Sequence, residues 1–238
     1  MPDSPHYGIG QLAALLLENN IEVKILDMRL GYTFEILQKT IEEYNPNMIG
    51  FTLIATRIKM CYAMIDRVKK MYPDIWTVAG GTHVASFKKR IFEGTKNLDF
   101  AVKQEGEQTF VELIKQLEQK DHEFSKVKGL IFKKKNEIIE TENMAMIEDL
   151  DKLPDPAYHL FELEKYYVWQ RGAMPIVTSR GCPFLCVFCS INLTMGRKFR
   201  ALSPQRVVNM LEKYNKEGMR KFDIQDDEFS FNKKRVHD

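Results

Sequence analysis

Three cysteines lie within eight residues, in Ser179-Arg180-Gly181-Cys182-Pro183-Phe184-Leu185-Cys186-Val187-Phe188-Cys189. An apolar, strand-like run leads into this C-x3-C-x2-C spacing, and polar loop residues follow it. Thiolates from a protein hold the irons of a cubic iron–sulfur cluster. Three closely spaced thiolates would hold three of its irons and leave the fourth open to a substrate. An open coordination position separates a reactive metal site from a closed structural one.

Two plainer uses of these cysteines compete with that reading. A disulfide fits poorly, because the loop holds an odd number of thiols and the sequence shows no export signal. Structural zinc is the stronger rival, since it takes four cysteines or three with a histidine. No histidine lies at ordinary ligand spacing; the nearest in sequence are His159 and His237. The fourth cysteine, Cys61, falls in line with Ile58, Ile65 and Val68 on the apolar stripe of a helix, where a free thiol packs as a small hydrophobe. The residues favour an open cluster at Cys182, Cys186 and Cys189, with zinc as the alternative.

The constellation resembles the radical S-adenosylmethionine (SAM) enzymes, whose signature is C-x3-C-x-aromatic-C, the aromatic here being Phe188. The resemblance implies a 4Fe–4S cluster whose open iron chelates the amino and carboxylate groups of SAM. It also implies reductive cleavage of SAM to a 5′-deoxyadenosyl radical, with electrons from a donor such as a flavodoxin or ferredoxin. The substrate would be a small molecule. In such an enzyme the cofactors carry the chemistry and the protein supplies position and exclusion.

The elements that must position this loop come earlier in the chain. Its 238 residues are 44% hydrophobic and 29% charged, enough for one large or two modest soluble domains with buried cores. No apolar run is long enough to span a bilayer, so no membrane role is expected. A net charge of +2 argues against bulk nucleic-acid binding, and Lys133-Lys134-Lys135 reads as a solvated hairpin tip. Free thiols without a targeting segment suit a reducing cytoplasm.

Over the first 120 or so residues, short apolar runs alternate with longer amphipathic ones, the pattern of a parallel sheet covered by helices. Helices are expected near 8–19, 33–44, 57–71, 85–93 and 107–119. Strands are expected at Ile21–Leu26, Met48–Leu53, Ile75–Ala79 and Phe100–Val102. Ligands of such folds bind beyond the carboxyl ends of the strands. The loops there hold Thr52 and Thr56, then Gly80-Gly81-Thr82-His83, then Glu105-Gly106-Glu107. Each is weak alone.

In order, they resemble the cobalamin-binding domain that precedes the cluster domain in one large radical SAM group. A Gly-Gly-x-His loop and a Gly-Glu-x-x-Thr-Phe segment recur there; the second is one residue shorter here, Gly106-Glu107-Gln108-Thr109-Phe110. The match runs from about Tyr7 to Leu117 and implies a flavodoxin-like, Rossmann-type α/β fold. It implies cobalamin contacts from Thr52, Thr56, Gly80, Gly81, Thr82, His83, Glu105, Gly106 and Glu107. His83 is read as a structural or cofactor-edge residue, not an axial cobalt ligand. Many free-standing cobalamin proteins carry Asp-x-His-x-x-Gly for the lower ligand, but the corresponding stretch here is Asp27-Met28-Arg29-Leu30-Gly31-Tyr32. Any cobalamin would therefore lack a histidine ligand from this loop. The family's opening strand is expected to have no counterpart before Tyr7, which would leave a gap or an exposed edge in the sheet.

A hairpin is expected at Val127–Lys133 and Glu137–Thr141, turning at Lys135-Asn136. A linker with Pro154 and Pro156 follows, too proline-rich for continuous helix. Beyond it, strand Ile176–Ser179, the cysteine loop, a helix capped by Ser203-Pro204 and closed by Gly218, and strand Lys221–Gln225 begin a (β/α) barrel. Val207, Leu211 and Tyr214 mark the helix's buried face. The second strand delivers Asp226-Asp227-Glu228-Phe229; in the resembled group an acidic residue there contacts the SAM amino group, so Asp226 and Asp227 are candidates beside Phe188. A solvated acidic loop is the plainer alternative. Arg197, Lys198 and Arg200 read as a charged loop face.

The expected organisation is a cobalamin-binding-like α/β domain (1–122), a hairpin and linker (123–172), and the first part of a radical SAM barrel (173–238). A radical SAM barrel repeats its strand–helix unit several times, and Cys182 to Asp238 accommodates little more than one, so the sequence reads as a fragment of a longer protein. The reaction implied by resemblance is cobalamin-dependent methyl transfer to an unactivated centre. The alternatives are a radical SAM enzyme that does not use cobalamin and a non-catalytic metal- or cofactor-binding fragment.

Overall fold

The computed structural model describes residues 2–135, 137–171 and 173–238. In chain order its helices are α1 (Tyr7–Glu18), α2 (Phe34–Tyr44), α3 (Ile58–Met71), α4 (Thr82–Phe87), α5 (Ile91–Gly94), α6 (Glu107–Leu117), α7 (Tyr167–Gln170), α8 (Ile191–Thr194), α9 (Pro204–Lys216) and α10 (Lys233–His237). Its strands are β1 (Met48–Thr52), β2 (Trp76–Gly80), β3 (Phe100–Val102), β4 (Leu130–Lys134), β5 (Glu137–Glu140), β6 (Ala173–Ile176), β7 (Ser179–Arg180), β8 (Arg200–Ala201) and β9 (Lys221–Ile224). The chain divides into two compact units.

One unit comprises Phe34–Met146 and Cys186–Met195. Its five-stranded sheet runs β1-β2-β3-β4-β5, parallel from β1 to β3 and antiparallel beyond. The parallel strands are joined by amphipathic helices whose apolar stripes, such as Ile65 and Val68 of α3, are fully buried. Leu53, Ile65, Ala79, Ile91, Leu98 and Ala101 form one core, and Val78, Phe100, Leu113, Leu130 and Phe132 another. Each fully buried leucine or isoleucine contributes about 1.5–3 kcal/mol.

The hairpin β4–β5 is part of this sheet rather than a separate connector. Buried Lys103 reaches from the end of β3 to Glu140 at 3.1 Å and to the Thr141 carbonyl at 2.8 Å. Strand β4 starts at Leu130, later than Val127, because a 3-10 turn at Phe124–Lys126 and Gly129 at φ +77° precede it. Asn136 of the expected turn lies outside the described residues.

Two expectations fail in the early chain. Ile21–Leu26 is not a strand: residues 21–27 carry no ladder, since no strand among the described residues lies beside them. An extended segment needs a partner for its backbone groups, and periodicity does not supply one. The helix expected over 85–93 begins earlier, on Thr82, and breaks at Lys88, whose φ of +48° cannot continue an α-helix.

The other unit comprises Met1–Thr33, Ile147–Leu185 and Gly196–Asp238. Its core gathers Leu150, Tyr158, Phe161, Tyr166, Met174, Ile176, Leu202, Met210, Tyr214 and Met219. Helix α9 is capped by Ser203, whose hydroxyl accepts the Arg206 N–H, with Pro204 at the first turn. Gly218 at φ +98° ends it. Its buried residues are Met210 and Tyr214, with Val207 and Leu211 packed partly buried against the same core. Strands β6 and β9 pair in parallel. The strand expected over Ile176–Ser179 is two pieces, because the chain leaves β9 after Ile176 and Ser179–Arg180 pairs instead with β8.

Candidate functional site

The carboxyl ends of β1, β2 and β3 present the loops singled out in the sequence. Thr52 lies in register with Gly80. Past β2 the chain turns through Gly81 at φ +99°, a conformation favouring glycine. The Leu53 N–H donates to the Gly80 carbonyl at 2.8 Å, and the His83 N–H donates to the Leu53 carbonyl at 3.1 Å. A Cβ on Gly81 would lie 2.9 Å from that carbonyl oxygen, whereas one on Gly80 would meet nothing within 4 Å. Only the second glycine of the pair is therefore demanded by its surroundings.

Thr82 opens α4 and is exposed, as is Thr56 on the 3-10 turn Ala55–Arg57. His83 stands over the turn. Its Nε2 is 3.3 Å from the Tyr62 hydroxyl, and its ring stacks on Phe87 at 4.3 Å. Its Nδ1 is buried with no hydrogen-bond partner among the described residues. Burial lowers its pKa, which favours the neutral ring. Tyr62, which the sequence did not mark, packs its ring against Gly94. Glu105 and Glu107 are buried, and Thr109 is spent on the Lys128 carbonyl at 2.9 Å. Within this unit α8 packs on α4, so residues just after the cysteines lie against the helix that carries His83.

The loop expected to lack a cobalt ligand is closed on itself. Asp27 takes Arg29 in a bidentate pair, with distances of 2.9 and 2.6 Å, and accepts the Tyr166 hydroxyl at 2.7 Å. Arg29 stands where a ligand histidine would be, and its guanidinium is committed to Asp27.

The start of the cysteine loop is built at the ends of β6 and β9. Asp226 accepts three hydrogen bonds there: Thr178 N–H at 2.5 Å, Thr178 Oγ1 at 2.7 Å and Ser179 Oγ at 2.6 Å. Asp227 accepts the Gly181 N–H; burial pushes its carboxyl up, and the neighbouring Asp226 adds to the rise. Asp226 is thus tied into the fold by three donors, whereas Asp227 is exposed. Thr178 and Ser179 are missed by sequence reading because nothing in a Val-Thr-Ser run marks a partner 48 residues away.

All four cysteines are free. Cys182 is half-buried and donates its N–H to the Gly196 carbonyl at 3.3 Å, while Cys186 and Cys189 are exposed, with the Cys189 N–H on the Cys186 carbonyl at 3.0 Å. Phe188 is also exposed. Among the described residues, no three His, Cys, Asp or Glu side chains are gathered as a metal site. The donor set, three unpaired thiols on one irregular loop, has the chemistry of iron–sulfur ligation. Cys61 differs: its thiol faces the Thr52 carbonyl at 3.8 Å, and burial raises its pKa.

Residues 2–114 match the B12 binding domain family, and residues 176–238 match the radical SAM superfamily. These two stretches thus carry a B12 binding domain and radical SAM superfamily sequence, in that order. It is 32% identical over 98% of its length to an uncharacterized methyltransferase of Pyrococcus horikoshii, covering 51% of that protein. It is 29% identical over 84% of its length to an anaerobic magnesium-protoporphyrin IX monomethyl ester cyclase of Cereibacter sphaeroides, covering 33% of it. The chain thus spans about a third to a half of the length of these two relatives.

Two solved structures share the fold. The radical SAM methyltransferase TsrM of Kitasatospora setae, with tryptophan and a SAM analog bound, superposes at a TM-score of 0.79 and 19% identity, over 99% of this chain and 47% of that one. The cobalamin-dependent radical enzyme OxsB, with aqua-cobalamin bound, gives 0.79 at 22% identity, over 94% of this chain and 32% of that one. Among the described residues no helix is long and apolar enough to cross a membrane.

Proposed function

We propose that this chain is the cobalamin half-site and cluster loop of a radical SAM methyltransferase acting on a small molecule at an unactivated centre. The observation that carries the reading is the pairing, in one chain, of a B12 binding domain with three free thiols in C-x3-C-x-aromatic-C spacing. When bound, a 4Fe–4S cluster and SAM supply one-electron cleavage of SAM, and cobalamin supplies a methyl carrier. Methyl transfer is preferred to cyclisation because the 32% identical relative, which this chain matches over nearly its whole length, is described as a methyltransferase.

Cys182, Cys186 and Cys189 would hold the cluster, with Phe188 beside SAM. Asp227 is the better placed of the acidic pair for the SAM amine, since Asp226 has three donors already. Thr52, Thr56, Gly80–His83 and Glu105–Glu107 would border the corrinoid. The orphan Nδ1 of His83 supports this assignment, because a buried unpaired acceptor or donor is costly until a ligand supplies its partner. The functional division proposed is a cobalamin-binding-like part (1–122), a hairpin-and-linker stretch (123–172) whose hairpin extends the same sheet, and a radical SAM part (173–238). Exposed free thiols suit a reducing cytoplasm, with a flavodoxin or ferredoxin as electron donor.

Anaerobic reconstitution with iron, sulfide and hydroxocobalamin, followed by gel filtration and visible spectra, tests the reading. Co-eluting cluster and corrinoid bands support it. Cluster absorbance without corrinoid would remove cobalamin from the proposal and leave a radical SAM fragment.

A further inference from the structure

Asp226 sits where the chain changes sheets. The β6–β9 ladder ends at the Ile176–Ile224 pair, and the Gln225 N–H still reaches the Ile176 carbonyl at 2.8 Å. One residue later the backbone of β9 is no longer the partner. The Asp226 carboxylate takes over, binding the N–H and hydroxyl of Thr178 and the hydroxyl of Ser179. Thr178 is also held from its other side, since its carbonyl accepts the Leu202 N–H and an Arg235 guanidinium N–H, each at 2.9 Å. Ser179 and Arg180 then pair with β8, and Gly181 at φ +81° turns the chain into Cys182. Thr178, Ser179 and Arg180 are all buried.

We infer that Asp226 is a positioning residue: through Thr178 and Ser179 it fixes the point at which the cysteine loop leaves the sheet, and it is not itself a contact of the SAM amine. Charge-assisted hydrogen bonds are the stronger kind, and three of them converge on this carboxylate. An ionised carboxylate has about four acceptor positions, so little of Asp226 remains for a further donor. The inference deepens the proposed function by giving the two adjacent acids different tasks. Its test does not require a loaded cluster.

The test is amide hydrogen exchange across residues 176–182 of the full metal-free reduced chain, with iodoacetamide labelling of Cys182 measured against Cys61 in the same sample. Asp226→Ala should speed exchange and Cys182 labelling by about tenfold or more, in line with the loss of hydrogen bonds to a charged group. Asp226→Asn keeps the shape and can rebond the rotatable hydroxyls, so it should stay within about threefold of the parent. Thr178→Val with Ser179→Ala removes two donors but leaves the carboxylate, and should reproduce the Asp226→Ala pattern if that variant fails to fold. Unchanged exchange and labelling in both Asp226→Ala and the Thr178/Ser179 variant would overturn the inference. So would an Asn variant as perturbed as the Ala one, because retaining the side chain's shape and hydrogen-bonding groups would then count for nothing. A chain that binds zinc in place of iron would defeat the proposed function and leave these exchange results standing.

Discussion

Gly81 passes so close to Leu53 that a Cβ added to it would lie 2.9 Å from the Leu53 carbonyl oxygen. That oxygen also accepts the His83 N–H, so the contact fixes both the turn after β2 and the start of α4. Gly81→Ala meets both this clash and an unfavourable φ of +99°. It should destabilise the sheet unit by about 1–3 kcal/mol in denaturant unfolding. Gly80→Ala, in open space at ordinary backbone angles, should cost under about 1 kcal/mol. Equal losses at the two positions would contradict this account of the turn.

His83 offers a separation of stability from binding. Its Nδ1 has no partner among the described residues, so His83→Phe removes an unsatisfied group while keeping a ring over Phe87. Apo stability should change by less than about 1 kcal/mol, while retained corrinoid falls at least about fivefold. Parallel losses of both would reduce His83 to a packing residue.

Asp155 gives a pH dependence with a defined sign. Burial alone would raise its carboxyl, but hydrogen bonds from Lys213 at 2.9 Å and Arg206 at 2.5 Å outweigh it and hold the group below its ordinary value of 3.8. A depressed carboxyl contributes stability that is present above the unfolded-state pKa and lost as pH falls through the folded one. Asp155→Asn should therefore lower thermal stability at neutral pH, and the gap from the parent should close as the solution is acidified below that ordinary value. A gap that persists or widens in acid would contradict the assignment.

Legibility in the sequence followed the range of the interaction. The helix starting at Pro204 is readable because its Ser-Pro cap and closing glycine are local signals. Phe100–Val102 is readable as a short, wholly buried run between turn signals. Ile21–Leu26 looks the same by composition, yet a strand exists only where a neighbour pairs with it. The addition of the 130–140 hairpin to the sheet depends on antiparallel contacts with β3 and on Lys103, neither of which has a periodicity. At the site, the cysteines and the Gly-Gly turn are legible by type and spacing. The tasks of Asp226, Thr178 and Tyr62 depend on partners 21 to 48 residues away.

Cys182, Cys186 and Cys189, and not Cys61, are the thiols proposed to hold an iron–sulfur cluster. The most direct test of that assignment is iron, sulfide and zinc content after anaerobic purification and reconstitution, on the parent chain and on four single Cys→Ser variants. About four irons and four sulfides per chain are expected in the parent and in Cys61→Ser. Most of that iron should be lost in Cys182→Ser, Cys186→Ser and Cys189→Ser. Stoichiometric zinc without iron in the parent, or full iron in any of those three loop variants, would contradict the assignment.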